Sequence, residues 1–149
     1  MRREPTLFDN DEGKAMKVAI ETRYKMLPLW YTAVWEAHNT GMPPVRPLFV
    51  EFPDSTEAHS NEYSFMLTSS ILVAPIIDED DDETITRPEL PGIWYQLPSG
   101  STEPEFDVSS VLSYPVFVRG GSIVPTFAEA GNSTYEAFRK PMKLIIALD

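Results

Sequence analysis

The sequence predicts an α/β segment followed by an all-β sandwich, and three observations carry that reading. Apolar residues recur at helical spacing only within the first forty positions. Beyond them, short apolar runs are set between proline and glycine turn signals, as in sheet proteins. Fourteen prolines interrupt the chain at short intervals, too often for a helical bundle.

The elements follow in order. Asp9, with Glu12 three residues on, marks a helix start whose acidic residues suit the positive end of the dipole. From there to His38, Val18, Ile20, Tyr24, Leu27, Trp30, Tyr31, Val34 and Trp35 form an apolar face at three- and four-residue spacing. Pro28 interrupts it, so one helix kinks there or two helices meet. Gly41 is the C-terminal stop, and Pro43-Pro44 prevent continuation. Val45 to Phe52 reads as a strand, Asn61 to Leu67 as a short helix, and Ile71 to Ile77 as a strand covered on both sides. Leu72 and Ile76 of this last run are expected to pack against the helix bearing Trp30 and Trp35, or against the sandwich. The acidic run Asp78 to Glu83 is a solvated loop and gives the division: residues 1–77 form the first unit and 78–149 the second. In the second, residues 93–97, 115–119, 122–125 and 142–148 read as short strands separated by turns at 98–100, 120–121 and 131–132.

Charge and composition exclude several functions. Acidic residues outnumber basic ones 23 to 12, a net charge of −11. Such a chain has no basic stripe for nucleic-acid phosphates and no attraction to an anionic membrane surface. No apolar run approaches the roughly 20 residues that span a bilayer, and the first residues contain no apolar segment of a signal peptide. Without cysteine, disulfides and thiolate metal sites are excluded. His38 and His59 alone do not make a zinc site, so neither a metal nor a cofactor is expected. His38 belongs to the last helical turn, where an imidazole meets the negative end of the dipole. The aromatic residues Trp30, Tyr31, Trp35, Trp94 and Tyr95 are expected in the core. Gly120-Gly121 reads as a turn between strands, since it lacks the fingerprint of a nucleotide-binding loop.

A set of motifs runs through the chain in order: Arg3-Glu4-Pro5, Arg23-Tyr24 with Met26-Leu27-Pro28, Trp30-Tyr31-Thr32, Glu36-Ala37-His38, Arg46 to Pro53, Leu72-Val73-Ala74-Pro75, Pro115 to Pro125, and Leu144 to Asp149. Together they resemble glycoside hydrolase family 31, and most closely its neutral α-glucosidase and glucosidase II-like branch. That resemblance implies that residues 1–77 are the last helix–strand–helix portion of a (β/α)8 TIM barrel, with the antiparallel β-sandwich beside it. It implies an α-glycosidase fragment that hydrolyses terminal α-linked glucose of oligosaccharides or N-glycans by retention. The alternative is a non-catalytic interaction or carbohydrate-binding module from a truncated gene. The α-glucoside substrate would be engaged through a missing N-terminal part. The glucosidase II-like branch further implies an accessory subunit and the lumen of the endoplasmic reticulum.

The chemistry itself needs two carboxyl groups about 5 Å apart. The family's nucleophile lies in a tryptophan-containing segment ending in Asp-Met, and its acid/base in a Gly-Asp-Asn context. Neither occurs here, so no catalytic residue is carried over and the chain alone is expected to be inactive. Asp54 and His59, in the loop after the expected barrel strand, are candidates for an active-site rim. In that loop the chain departs from the family: its Asp is replaced by Ser55, its Asp-Gln pair by Tyr63-Ser64, and the Gly that follows by Thr68. Asn132-Ser133-Thr134 is a glycosylation sequon, which makes Asn132 a candidate acceptor.

Overall fold

The computed structural model describes residues 4, 7, 11–75, 84–107 and 115–149. It opens with two helices, α1 (Asp11–Lys25) and α2 (Leu27–Thr40). They meet at Met26, with proline in the first turn of α2, so the chain turns at Pro28 by starting a new helix. Asp9 lies outside the described residues. Gly41 ends α2 in the left-handed conformation expected of it (φ 78°) and donates its N–H to Ala37 O at 2.9 Å.

The rest is antiparallel sheet. Strands β1 (Val45–Pro47), β2 (Phe65–Leu67), β3 (Ile71–Val73), β5 (Trp94–Gln96) and β7 (Val116–Arg119) form one five-stranded sheet in the order β1-β2-β3-β7-β5. Two further ribbons pair β4 (Thr84–Thr86) with β6 (Glu105–Asp107) and β8 (Ile123–Phe127) with β9 (Met142–Ile146). Short helices α3 (Leu48–Glu51) and α4 (Thr56–Ser60) fill the β1–β2 connection, and α5 (Thr134–Ala137) the β8–β9 connection.

Three sequence expectations are corrected here. Val45 to Phe52 is not one long strand. Three residues pair antiparallel with β2, and the chain then coils into a helical turn beginning at Leu48. The short helix lies at 56–60, not 61–67, because Ser55 caps it there, its Oγ accepting the Ala58 N–H at 3.2 Å. Phe65 to Leu67 is a strand. Of the expected strand Ile71 to Ile77, Ile71–Val73 pair as β3, and Ile76 and Ile77 lie outside the described residues. Because β3 hydrogen-bonds to β7, one sheet spans the point near residue 78 where a division was expected.

Strand alternation sorts the sheet's side chains into two cores. On one face Met66, Leu72, Trp94 and Phe117 join Leu48, Phe52, Leu90 and Phe106, with Phe106 edge-on to Phe117 at 5.2 Å between ring centres. On the other, Leu67, Ile71 and Val118 pack with Met26 and Leu29 of the helical segment and with Val124 and Ala147 of the β8–β9 ribbon. Leu72 and Ile71, adjacent in sequence, are each fully buried on opposite sides of the sheet. The sandwich is therefore a central sheet with material on both faces. The expected core position of Trp94 holds, but α2 is rotated from its expected setting. Leu29 and Ala33 are its buried apolar residues, together with Pro28, whereas Tyr31, Val34 and Trp35 are 71%, 58% and 62% exposed. Both sides of this helix are apolar, so periodicity alone could not say which one this chain buries.

Candidate functional site

Polar side chains of different elements converge along the α4 segment. Residues 53–64 form one wall and residues 86–91 the other. An open concavity of about 410 Å³ carries Glu57, Tyr63, Arg87 and Glu89. A neighbouring one shares Glu57 and Glu89 and adds Asp54. Burial holds the Arg87 guanidinium below its ordinary pKa, and the nearby Glu89 carboxylate acts in the opposite direction.

The two candidate rim residues part company. Asp54 lies in the tight turn before α4, lining the concavity. His59 is held elsewhere: its Nε2 lies 2.7 Å from Pro53 O and its ring stacks on Phe49 at 6.0 Å. The histidine thus ties the loop to α3. It is not on the lining of the concavity. Among the described residues no group of three or more His, Asp or Glu could hold a metal ion.

Beneath the loop is a pair that sequence reasoning missed. Arg46 and Glu51 form an ion pair whose side chains are only 9% and 15% exposed. Arg46 also donates to Pro43 O at 3.2 Å, while its Nε is buried with no partner. A charge so placed is costly unless compensated, so Glu51 fixes Arg46 and with it the turn from β1 into α3. The signal was available: an arginine and a glutamate flanking four apolar residues within one motif. Arg119 was also overlooked. Its guanidinium sits 5.1 Å from the centre of the Phe52 ring, linking β7 to the start of the same loop.

The α4 segment thus borders open polar concavities, and the sequence holds neither of the family's two aspartate motifs. Comparison with known proteins gives the setting. The sequence model of the glycosyl hydrolase family 31 C-terminal domain matches residues 41–124. A probable glucan 1,3-α-glucosidase of Oryza sativa is 38% identical over 155 residues, covering 99% of this chain but 16% of the rice protein. Human neutral α-glucosidase C is 36% identical over 141 residues, covering 89% of this chain and 15% of that protein. Among solved structures, a Flavobacterium johnsoniae family 31 dextranase superposes with a TM-score of 0.83 at 28% identity, over 97% of this chain and 18% of the dextranase. The heterodimeric endoplasmic-reticulum glucosidase II complex of catalytic subunit and regulatory-subunit binding domain gives a TM-score of 0.85 at 25% identity, over 99% of this chain and 17% of that one.

The chain belongs to glycoside hydrolase family 31. It spans about a sixth of the length of the relatives it matches, and that sixth includes their C-terminal domain.

Proposed function

We propose that this chain is the supporting part of a retaining α-glycosidase that removes terminal α-linked glucose, with both catalytic carboxylates carried outside it. The observation that carries the reading is the mismatch of coverage: nearly all of this chain aligns with a small fraction of each α-glucosidase relative. In this reading α1 and α2 are the last helices of the catalytic (β/α)8 barrel and the sheets are the sandwich that buttresses it. The seam lies near residue 41, where α2 ends at a left-handed glycine and the family's C-terminal-domain match begins. In this reading the seam falls before residue 78, the division expected from the sequence. The outward apolar face of α2, with Tyr31, Val34 and Trp35, then packs against the rest of the barrel. An accessory subunit belongs to the same reading, by likeness to the glucosidase II complex. Asp54 keeps its candidacy as a rim residue, because it lines the open concavity.

Two measurements test this. Pure chain incubated with a chromogenic α-glucoside should show no turnover above buffer; turnover abolished by Asp54→Ala would overturn the assignment. A chimera in which this chain replaces the matching segment of human neutral α-glucosidase C should remain active. A folded chimera without activity would overturn the supporting role.

A further inference from the structure

We propose that Asn132 is an N-glycosylation acceptor and that the first sugar of its glycan seats in the concavity between α1 and the loop before α5. The proposal stands independently of the glycosidase reading. The reaction joins Asn132 Nδ2 to the anomeric carbon of an oligosaccharide delivered on a polyprenyl diphosphate. The N–C bond forms, the bond from that carbon to the phosphate oxygen breaks, the amide gives up one proton, and the polyprenyl diphosphate leaves. The transferase requires an asparagine and a hydroxyl two residues on.

Local structure leaves both groups available. A serine or threonine at a helix start is ordinarily occupied as its cap. Here capping falls to the middle residue of the sequon, Ser133, whose Oγ accepts the Glu136 N–H at 3.2 Å. Thr134, the residue whose hydroxyl is required, is exposed. Asn132 is exposed too, and its backbone is fixed by donation of its N–H to Glu136 Oε2 at 3.2 Å. Among the described residues its side-chain amide donates no hydrogen bond. On the other side, a Cβ on Gly131 would lie 2.4 Å from Ala137 N, so glycine lets the loop close onto α5 and sets the direction in which residue 132 leaves it.

The second observation is the surface beside Asn132. A concavity of about 450 Å³ is bounded by Asn132 on one side and Lys17, Ile20, Glu21 and Tyr24 of α1 on the other. Its volume falls within the roughly 300–1,000 Å³ of small-molecule sites. Ile20 is 47% exposed there, and Tyr24 lies one helical turn further along the same face. An N-acetylglucosamine ring offers a C–H face and an acetamide methyl to that apolar wall, and hydroxyls to Lys17 and Glu21. Those two side chains are only loosely engaged with one another, at 3.9 Å.

The test is production of this chain behind a cleavable secretory leader in mammalian cells, reading secreted and leader-cleaved intracellular pools alike. One glycan removable by peptide-N-glycosidase is expected, mapped by deamidation at Asn132. It should be lost in Asn132→Gln and Thr134→Ala and retained in Thr134→Ser. Leader-cleaved chain with unmodified Asn132 in both pools would overturn the acceptor assignment. Chain trimmed to a single N-acetylglucosamine should melt higher than fully deglycosylated chain, and Ile20→Ser should remove the difference. Equal melting of the two forms of the unsubstituted chain would overturn the sugar seat.

Discussion

The five-stranded sheet and the β8–β9 ribbon are built from similar residues and meet opposite fates. In the sheet, Leu72 and Phe117 face one core, Ile71 and Val118 the other, and all four are fully buried. In the ribbon, Val124, Thr126 and Phe127 of β8 are buried, with Ala147 just past β9. Ile123, Met142, Leu144 and Ile146 stand 55–62% exposed along the other face. The same asymmetry marks α2, where Ala33 is buried and Trp35 is open. Hydrophobic side chains are thus a poor guide to what this chain buries by itself. The sheet is self-sufficient, and the ribbon and α2 present apolar surface of the kind that associates with other protein.

Matched substitutions can break this comparison. Leu72→Asp should cost more than about 4 kcal/mol, because it places an unpaired carboxylate between two strands in a dry core. Leu144→Asp, the same exchange on the open ribbon face, should stay within about 0.5 kcal/mol. Chemical denaturation followed by circular dichroism measures both. Equal losses would mean that the ribbon face is covered, and two small losses would mean that the sheet is not the core.

Next in size is Glu51→Gln, expected to destabilise by about 3–5 kcal/mol because Arg46 is left buried and uncompensated. Arg46→Met with Glu51→Leu should recover much of that loss, since an apolar pair of similar volume needs no compensation. If the double variant is no better than the single one, the pair is coupled to more than its own charges.

The turn between β2 and β3 sharpens the comparison in the opposite direction. Thr68 has φ 58°, a left-handed conformation that costs a β-branched residue about 1–3 kcal/mol. It is held by its N–H to Pro44 O at 2.7 Å and by its Oγ1 accepting the Ser70 N–H at 3.2 Å. Thr68→Gly relieves that strain and should raise stability by about 1 kcal/mol, after loss of the hydroxyl's hydrogen bond. A fall in stability would show the hydroxyl to be worth more than the strain.

Smallest in stability terms is Trp35→Ser on the open face of α2, expected within about 0.5 kcal/mol of the parent. Its effect should appear in association instead: the parent chain should self-associate in analytical ultracentrifugation as concentration rises, and the variant less so. An unchanged sedimentation profile would mean that this face carries no drive to associate.

Much of this molecule was legible before its structure. Gly41 stops α2 and Gly121 turns β7 into β8, each with φ near 77°, because only glycine takes that conformation without strain. The family was legible in the motifs, because it follows from residue strings. The division of labour around Asp54 and His59 was not. Both lie in one loop, and what separates them is a hydrogen bond to Pro53 and a stack on Phe49, contacts set by where the loop folds back.

Sequence by itself determined the family, the alternation of helix and then strand, and the turn positions, because each depends on chemistry local to a few residues. Tertiary structure decided which strands pair and which apolar face is buried. The strand between Ile71 and Val73 is too short to choose a partner from its own pattern. It takes β2 on one side and the distant β7 on the other. The choice on α2 is of the same kind. Either face could be buried, and the one that is buried is the one that β8 and the sheet meet with matching apolar surface. Burial depends on what stands opposite, and that is a property of the whole fold.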